Sequence, residues 1–183
     1  MSWNPYQHYN NPIILNGRDL GSKEVEFEKV ESIPLVLNTN MEIAVSGKNV
    51  PVEHWKSMGW NVLDAESISR DLLVYRSYIQ RSRAEFSVAK NVYVATGSGW
   101  FSCRSVCYLA AGRPVVVQDT GFSDFLPTGW GLLTFTTGDE AARAVQAVES
   151  DYAAHQDAAR EIAQTHFDSD AVLGHLLERV GLA

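Results

Sequence analysis

Residues 93–121 read YVATGSGWFSCRSVCYLAAGRPVVVQDTG. An apolar run, Tyr93–Ala95, breaks at two glycines, Gly97 and Gly99. A compact apolar-and-small segment, Phe101–Ala111, follows and is stopped by Gly112 and Pro114. A β-branched run, Val115–Val117, ends at Asp119. The pattern predicts strand, turn, helix, strand, since glycine and proline punctuate chains and β-branched residues favour strands. In the helix, Cys103, Val106, Cys107 and Ala110 recur at i, i+3, i+4 and i+7, which predicts the face packed on a sheet.

Outward from this stretch the same alternation continues. PVEHWKSMG (51–59) predicts a short helix with proline in its first turn and glycine at its end. WNVLDA (60–65) predicts a strand, and SRDLLVYRSYIQRSR (69–83) a helix with Leu72, Leu73, Tyr75 or Arg76, and Ile79 on one face. EFSVAK (85–90) and NVYVAT (91–96) read as extended, and GLLTFTT (131–137) as a strand. Thr137-Gly-Asp-Glu140 is a capping box that opens a long helix with Ala141, Val145, Val148 and Tyr152 on one stripe. A last helix is expected from about Asp168 to Val180. Before residue 51 the signals are shorter. PIILN (12–16), PLVLN (34–38) and MEIAV (41–45) are strand candidates, KEVEFEKV (23–30) suits strand or helix, and residues 1–12 read as irregular. Alternating strands and helices predict one α/β domain over residues 1–183, a three-layer Rossmann-like sandwich with a mostly parallel sheet and helices on both faces. Ligands in such sheets sit at the carboxyl ends of strands.

The formal charge of −7 argues against a nucleic-acid partner. The N-terminal residues carry no secretory pattern and no apolar run reaches membrane-spanning length, so a cytoplasmic location is the expectation. Cys103 and Cys107, one helical turn apart, are expected to be buried small residues; two thiols without nearby histidines are a poor zinc set, and no metal is expected. The five histidines show no shared spacing with a catalytic partner, and His155, His166 and His175 are expected to face solvent.

The chemistry converges on the glycine turn. A glycine turn ahead of a helix offers close backbone approach, free N–H groups and a positive dipole end, a combination that suits phosphate. Gly97-Ser-Gly99-Trp-Phe-Ser102 is a partial G-x-G-x-x-G, and Asp119 lies 22 residues after Gly97, where a dinucleotide fold places its ribose-binding acid. An NAD or flavin reading therefore stands as an alternative, against bulky Trp100 and Phe101. Arg104, in the first helical turn, opposes the dipole unless an anion binds beside it or a carboxylate such as Asp119 or Asp124 pairs with it. Lys48 and Lys90 stand near strand ends, within reach of a diphosphate. Trp100 either packs or stacks on a base.

The block SGWFSCRSVCYLAAGRPVVVQDTGFSDFLPTGWGLLTF (98–135) resembles the donor-binding half of a GT-B glycosyltransferase of the group 1 type, and Ala110–Val116 resembles that family's A-C-G-x-P-V-V block. The resemblance runs from about Gly59 to Leu182. It implies a nucleotide-sugar donor as substrate and no separate cofactor. The donor diphosphate would lie on Ser98, Gly99, Trp100 and Ser102, neutralised by Arg104, with Asp119, Thr120 and Gly121 beside the sugar or phosphate. Arg18 and Lys23, in NGRDLGSK, resemble the family's basic phosphate clamp. The paired glutamates of retaining members fall on Gly99 and Cys107, so no catalytic residue carries over. The resemblance also implies an acceptor-binding domain or subunit beyond this one, or an inert binding module.

Overall fold

The computed structural model describes residues 1–3, 13–15 and 17–182. Most of the expectations for residues 1–12 lie outside the described residues. The elements run β1 (Ser2–Trp3), β2 (Ile13–Leu15), β3 (Arg18–Leu20), α1 (Lys23–Phe27), α2 (Ile33–Leu37), β4 (Met41–Gly47), α3 (Val52–Ser57), β5 (Trp60–Asp64), α4 (Ala65–Ser69) and α5 (Leu72–Arg81). They continue with β6 (Glu85–Ser87), α6 (Asn91–Thr96), α7 (Cys103–Ala110), β7 (Val115–Gln118), β8 (Leu132–Phe135), α8 (Gly138–Ser150), α9 (Tyr152–His166) and α10 (Ser169–Arg179).

The fold is α/β, a Rossmann-like sandwich of parallel strands and helices. The parallel strands form two three-stranded sheets, in the orders β1-β4-β5 and β6-β7-β8. Ile43 lies opposite Val62, Phe86 opposite Val116, and Val116 opposite Leu133. β2 and β3 form a separate antiparallel hairpin. All four residues of β7 are buried, as a strand covered on both faces requires. Its alternation sorts the helices: Val115 and Val117 pack with Tyr108 of α7 and Ala159 and Ile162 of α9, whereas Val116 packs with Ala141 and Val148 of α8. The second face carries one continuous core across both sheets, joining Trp3, Ile43, Val45, Trp55 and Trp60 to Leu133 and Phe135.

Three expectations are corrected. NVYVAT forms the helix α6, and the glycine after it ends that helix. Gly97 takes a left-handed φ of 57°, and Ser98 N–H reaches back to Tyr93 C=O at 3.2 Å, a Schellman closure. PLVLN also turns helical, with Pro34 pre-setting the first turn and Asn38 closing the last at φ 47°. The stripe expected of α7 is rotated. Ser105, Tyr108 and Leu109 face the core while Cys103 and Cys107 are exposed, because Leu and Tyr remove far more apolar surface from water than cysteine does. In α5 only Ile79 of the expected face is buried, and Leu72 and Leu73 are left in solvent. The capping box at Thr137 and Glu140 is present, and Ala141, Ala144 and Val148 are buried behind it.

Candidate functional site

The turn between α6 and α7 is laced to the turn after β7. Gly99 N–H donates to Thr120 C=O at 2.7 Å, and the Thr120 hydroxyl donates to Trp100 C=O at 2.6 Å. Gly121 lies so close that a Cβ there would meet Gly97 O at 3.2 Å, on a φ of 93°. Ser98 Oγ accepts from Trp100 N–H, and Ser102 caps α7 by accepting from Arg104 N–H, each at 3.3 Å. Ser98, Gly99, Trp100, Ser102, Asp119, Thr120 and Gly121 are thus brought together, as the sequence suggested. Their polar groups are largely spent on one another. Asp119 accepts from Gly121 N–H at 2.9 Å and from the Ser123 hydroxyl at 2.5 Å, one bond on each carboxylate oxygen. Thr120 is buried. Beneath the turn, Ser102, Ser105 and Gln118 line a void of about 10 Å³, the scale of a single water. Ser105 Oγ is buried and has no hydrogen-bond partner among the described residues. Trp100 stacks on Tyr93 with centroids 5.1 Å apart and is 38 % exposed, and Lys90 Nζ sits 6.0 Å from the Tyr93 ring.

Arg104 leaves this joint and turns the other way. Its Nε donates to Glu85 Oε1 at 2.7 Å, so the pairing partner is neither Asp119 nor Asp124 but a buried carboxylate on β6. The alternation in EFSVAK contained the signal, with Glu85 at a position that the strand turns inward. The second Glu85 oxygen is buried and has no hydrogen-bond partner among the described residues. Arg104 and Glu85 line a cleft of about 740 Å³ together with Lys23, Tyr75, Tyr78 and Tyr108. Burial lowers the Lys23 amine to about 8, and the Arg104 charge adds to the shift. Burial likewise pushes Tyr108 up to about 12. Arg104 stays charged, held by Glu85 against the cost of burial. Two cations facing one carboxylate give the inner cleft a surplus positive charge. Lys48 does not join this group; it stands exposed in the turn after β4.

A buried polar knot joins α1, α6 and β7. Glu26 on α1 is fully buried and accepts from Asn91 Nδ2 at 2.6 Å, from Lys29 Nζ at 2.7 Å and from Gln118 Nε2. Gln118 in turn accepts from Ala89 N–H at 3.3 Å. These donors hold the Glu26 carboxyl below its ordinary range despite burial. The knot ties α1, which carries Lys23, to the strand end that carries Asp119. His155, expected in solvent, is buried: its Nδ1 accepts from Gly131 N–H at 3.1 Å and its ring stacks on Trp130, which makes it a packing residue.

With this arrangement in place, residues 30–178 match the family described as glycosyl transferase-like. The chain belongs to that family. The match covers both sheets from β4 onward, the laced turns and the Arg104–Glu85 pair. No curated protein matches the chain. Among the described residues no helix is long and apolar enough to cross a membrane.

Proposed function

We propose that this glycosyl transferase-like chain binds a nucleotide-sugar donor, with the diphosphate drawn to the cationic cleft beside the N-terminus of α7. The observation that carries the reading is the pair of cations, Arg104 and Lys23, against one carboxylate in a cleft of about 740 Å³, a volume suited to a nucleotide-sized ligand. An anion there would relieve the mutual repulsion of the two cations, and Arg104 has guanidinium N–H groups beyond its bond to Glu85 to offer a phosphate. The laced turn fixes the helix end, and the exposed Trp100–Tyr93 stack offers a flat surface for a base. Transfer also needs an acceptor held in line in a water-excluding space, so a second domain or subunit opposite the cleft belongs to this reading. The NAD reading finds little support, because both Asp119 oxygens are already engaged.

Thermal-shift measurement with UDP, GDP, ADP, TDP and NAD(H) tests the proposal, since a ligand that binds only the folded state raises the melting temperature. A rise with at least one nucleoside diphosphate, absent with NAD(H), is the expected result. No response to any diphosphate would refute it. Release of nucleoside diphosphate from nucleotide sugars by the chain alone is expected to be slow and independent of acceptor.

A further inference from the structure

The inner cleft keeps polar groups of both signs unpaired among the described residues. Glu85 lines it from β6 with its side chain only 4 % exposed. Its Oε1 accepts twice, from Arg104 Nε at 2.7 Å and from the Ser87 hydroxyl at 3.2 Å. Its Oε2 accepts from none of the described residues. Arg104 thus grips one oxygen, although a guanidinium and a carboxylate can join at two points. Lys23, within electrostatic range of both, makes no hydrogen bond or ion pair among the described residues. A buried carboxylate oxygen without a donor is costly, more so than a neutral group in the same place. The cleft therefore calls for a ligand that carries an acceptor for the cations and a donor for Glu85.

We propose that Glu85 reads the sugar of the donor, accepting a hydroxyl on the carbon next to the one that carries the diphosphate. This rests on the cleft being the donor site and adds which end of the donor lies inward. An ionised phosphate offers acceptors only, so it suits Arg104 and Lys23 and leaves Glu85 Oε2 unpaired. A hydroxyl supplies the missing donor. Because Arg104 touches Glu85 directly, a phosphate held by Arg104 lies within one guanidinium of the carboxylate. In a nucleotide sugar the hydroxyl next to the anomeric carbon has the shortest carbon path to a phosphate; the ribose hydroxyls lie one carbon farther from theirs. A buried group that depends on a ligand hydroxyl rejects the analogue that lacks it, because that group is then left unpaired. Glu85 is on this account a specificity-determining residue, and Arg104 links what it reads to where the phosphate sits.

Titration calorimetry on the full chain tests this. The probes are the glucose, mannose and 2-deoxyglucose donors of the nucleotide that gives the largest thermal shift, beside its bare diphosphate. The parent should bind the glucose or the mannose donor at least about tenfold more tightly than the 2-deoxy donor, the effect of one charge-assisted hydrogen bond. Glu85→Gln keeps the shape and removes the charge, so the preference should fall to the few-fold effect of a neutral hydrogen bond. Glu85→Asp, which keeps the charge beside Arg104 and withdraws the oxygens by one carbon, is the second variant and should lose the preference likewise. A parent that binds bare diphosphate yet holds the hydroxyl and 2-deoxy donors equally would overturn the proposal alone, giving Oε2 to a two-point bond with Arg104. Equal losses of bare diphosphate and of every donor in both variants would also overturn it, making Glu85 a brace for Arg104. A parent that binds no diphosphate would take the donor reading of the cleft down with it.

Discussion

Replacing Lys23 by methionine keeps the length of the side chain and removes its charge. In the folded protein the Lys23 amine titrates near 8 instead of 10.5 because burial and Arg104 both disfavour its charged form. A shift of that size corresponds to about 3 kcal/mol at about 1.4 kcal/mol per pKa unit. Between pH 8 and 10.5 the unfolded chain holds a proton on Lys23 that the folded chain has lost, so stability rises with pH across that window. Below pH 8 both states are charged and the full penalty is present. Lys23→Met should therefore be more stable than the parent at pH 7, by up to about 3 kcal/mol or roughly 6–12 °C in melting temperature. The gap should close as pH approaches 10.5. Calorimetric melts of both proteins at pH 7, 8.5 and 10 would show it, and the difference between them cancels the other titrating groups. A variant less stable than the parent at pH 7, with a gap that does not depend on pH, would refute the argument and make Lys23 an ordinary solvated lysine. If the cleft binds a diphosphate, the same variant should bind it more weakly, so that stability and binding move in opposite directions.

Arg104→Ala should weaken diphosphate binding by about 1.5–3 kcal/mol in titration calorimetry, the range for charge-assisted hydrogen bonds. It is best made with Glu85→Gln so that no buried carboxylate is left alone; unchanged affinity would remove Arg104 from the site. Asp119→Ala should lower the melting temperature without altering the response to any nucleotide, because its oxygens hold the turn; an Asp119-dependent response to NAD(H) would restore the dinucleotide reading. Gly121→Ala should cost about 1–2 kcal/mol from its left-handed backbone alone, read by urea unfolding, with more if Gly97 cannot yield. A neutral result there would mean the two turns are not pressed together.

The α/β class was legible because β7 and the helices around it have long, unmixed patterns: Val115–Val117, the capping box at Thr137, the stripe through Ala141 and Val148. Local signals failed where tertiary contacts decided. NVYVAT is β-branched enough to read as a strand, yet Gly97 and Ser98 close it as a helix. PLVLN failed in the same way, since a proline in the first turn serves a helix as well as it serves a strand edge. The candidate site was half legible. The glycine turn does meet Asp119–Gly121, but the expected reason was wrong in part, since the turn follows the helix α6 and only Asp119–Gly121 follows a strand. That Arg104 would turn to Glu85 could not be seen, because the partner is 19 residues away and the contact exists only once β6 and α7 are packed. The rotation of α7 was hidden for a simpler reason: small residues at helical spacing carry too little apolar area to decide which face is buried.

The knot around Glu26 has a kinetic consequence. Its bond with Gln118 spans 92 residues of chain, and the bond with Asn91 spans 65. Closing loops of that length is entropically expensive, and their contacts are favoured only after the intervening strands have assembled. The segment that carries Lys23 should therefore dock after the β6–β7–β8 nucleus has formed, as a late event on the folding path. Interactions made that late act on the escape rate from the native state and barely on the rate of reaching it. The knot is thus the latch that sets how long the finished cleft persists between unfolding events.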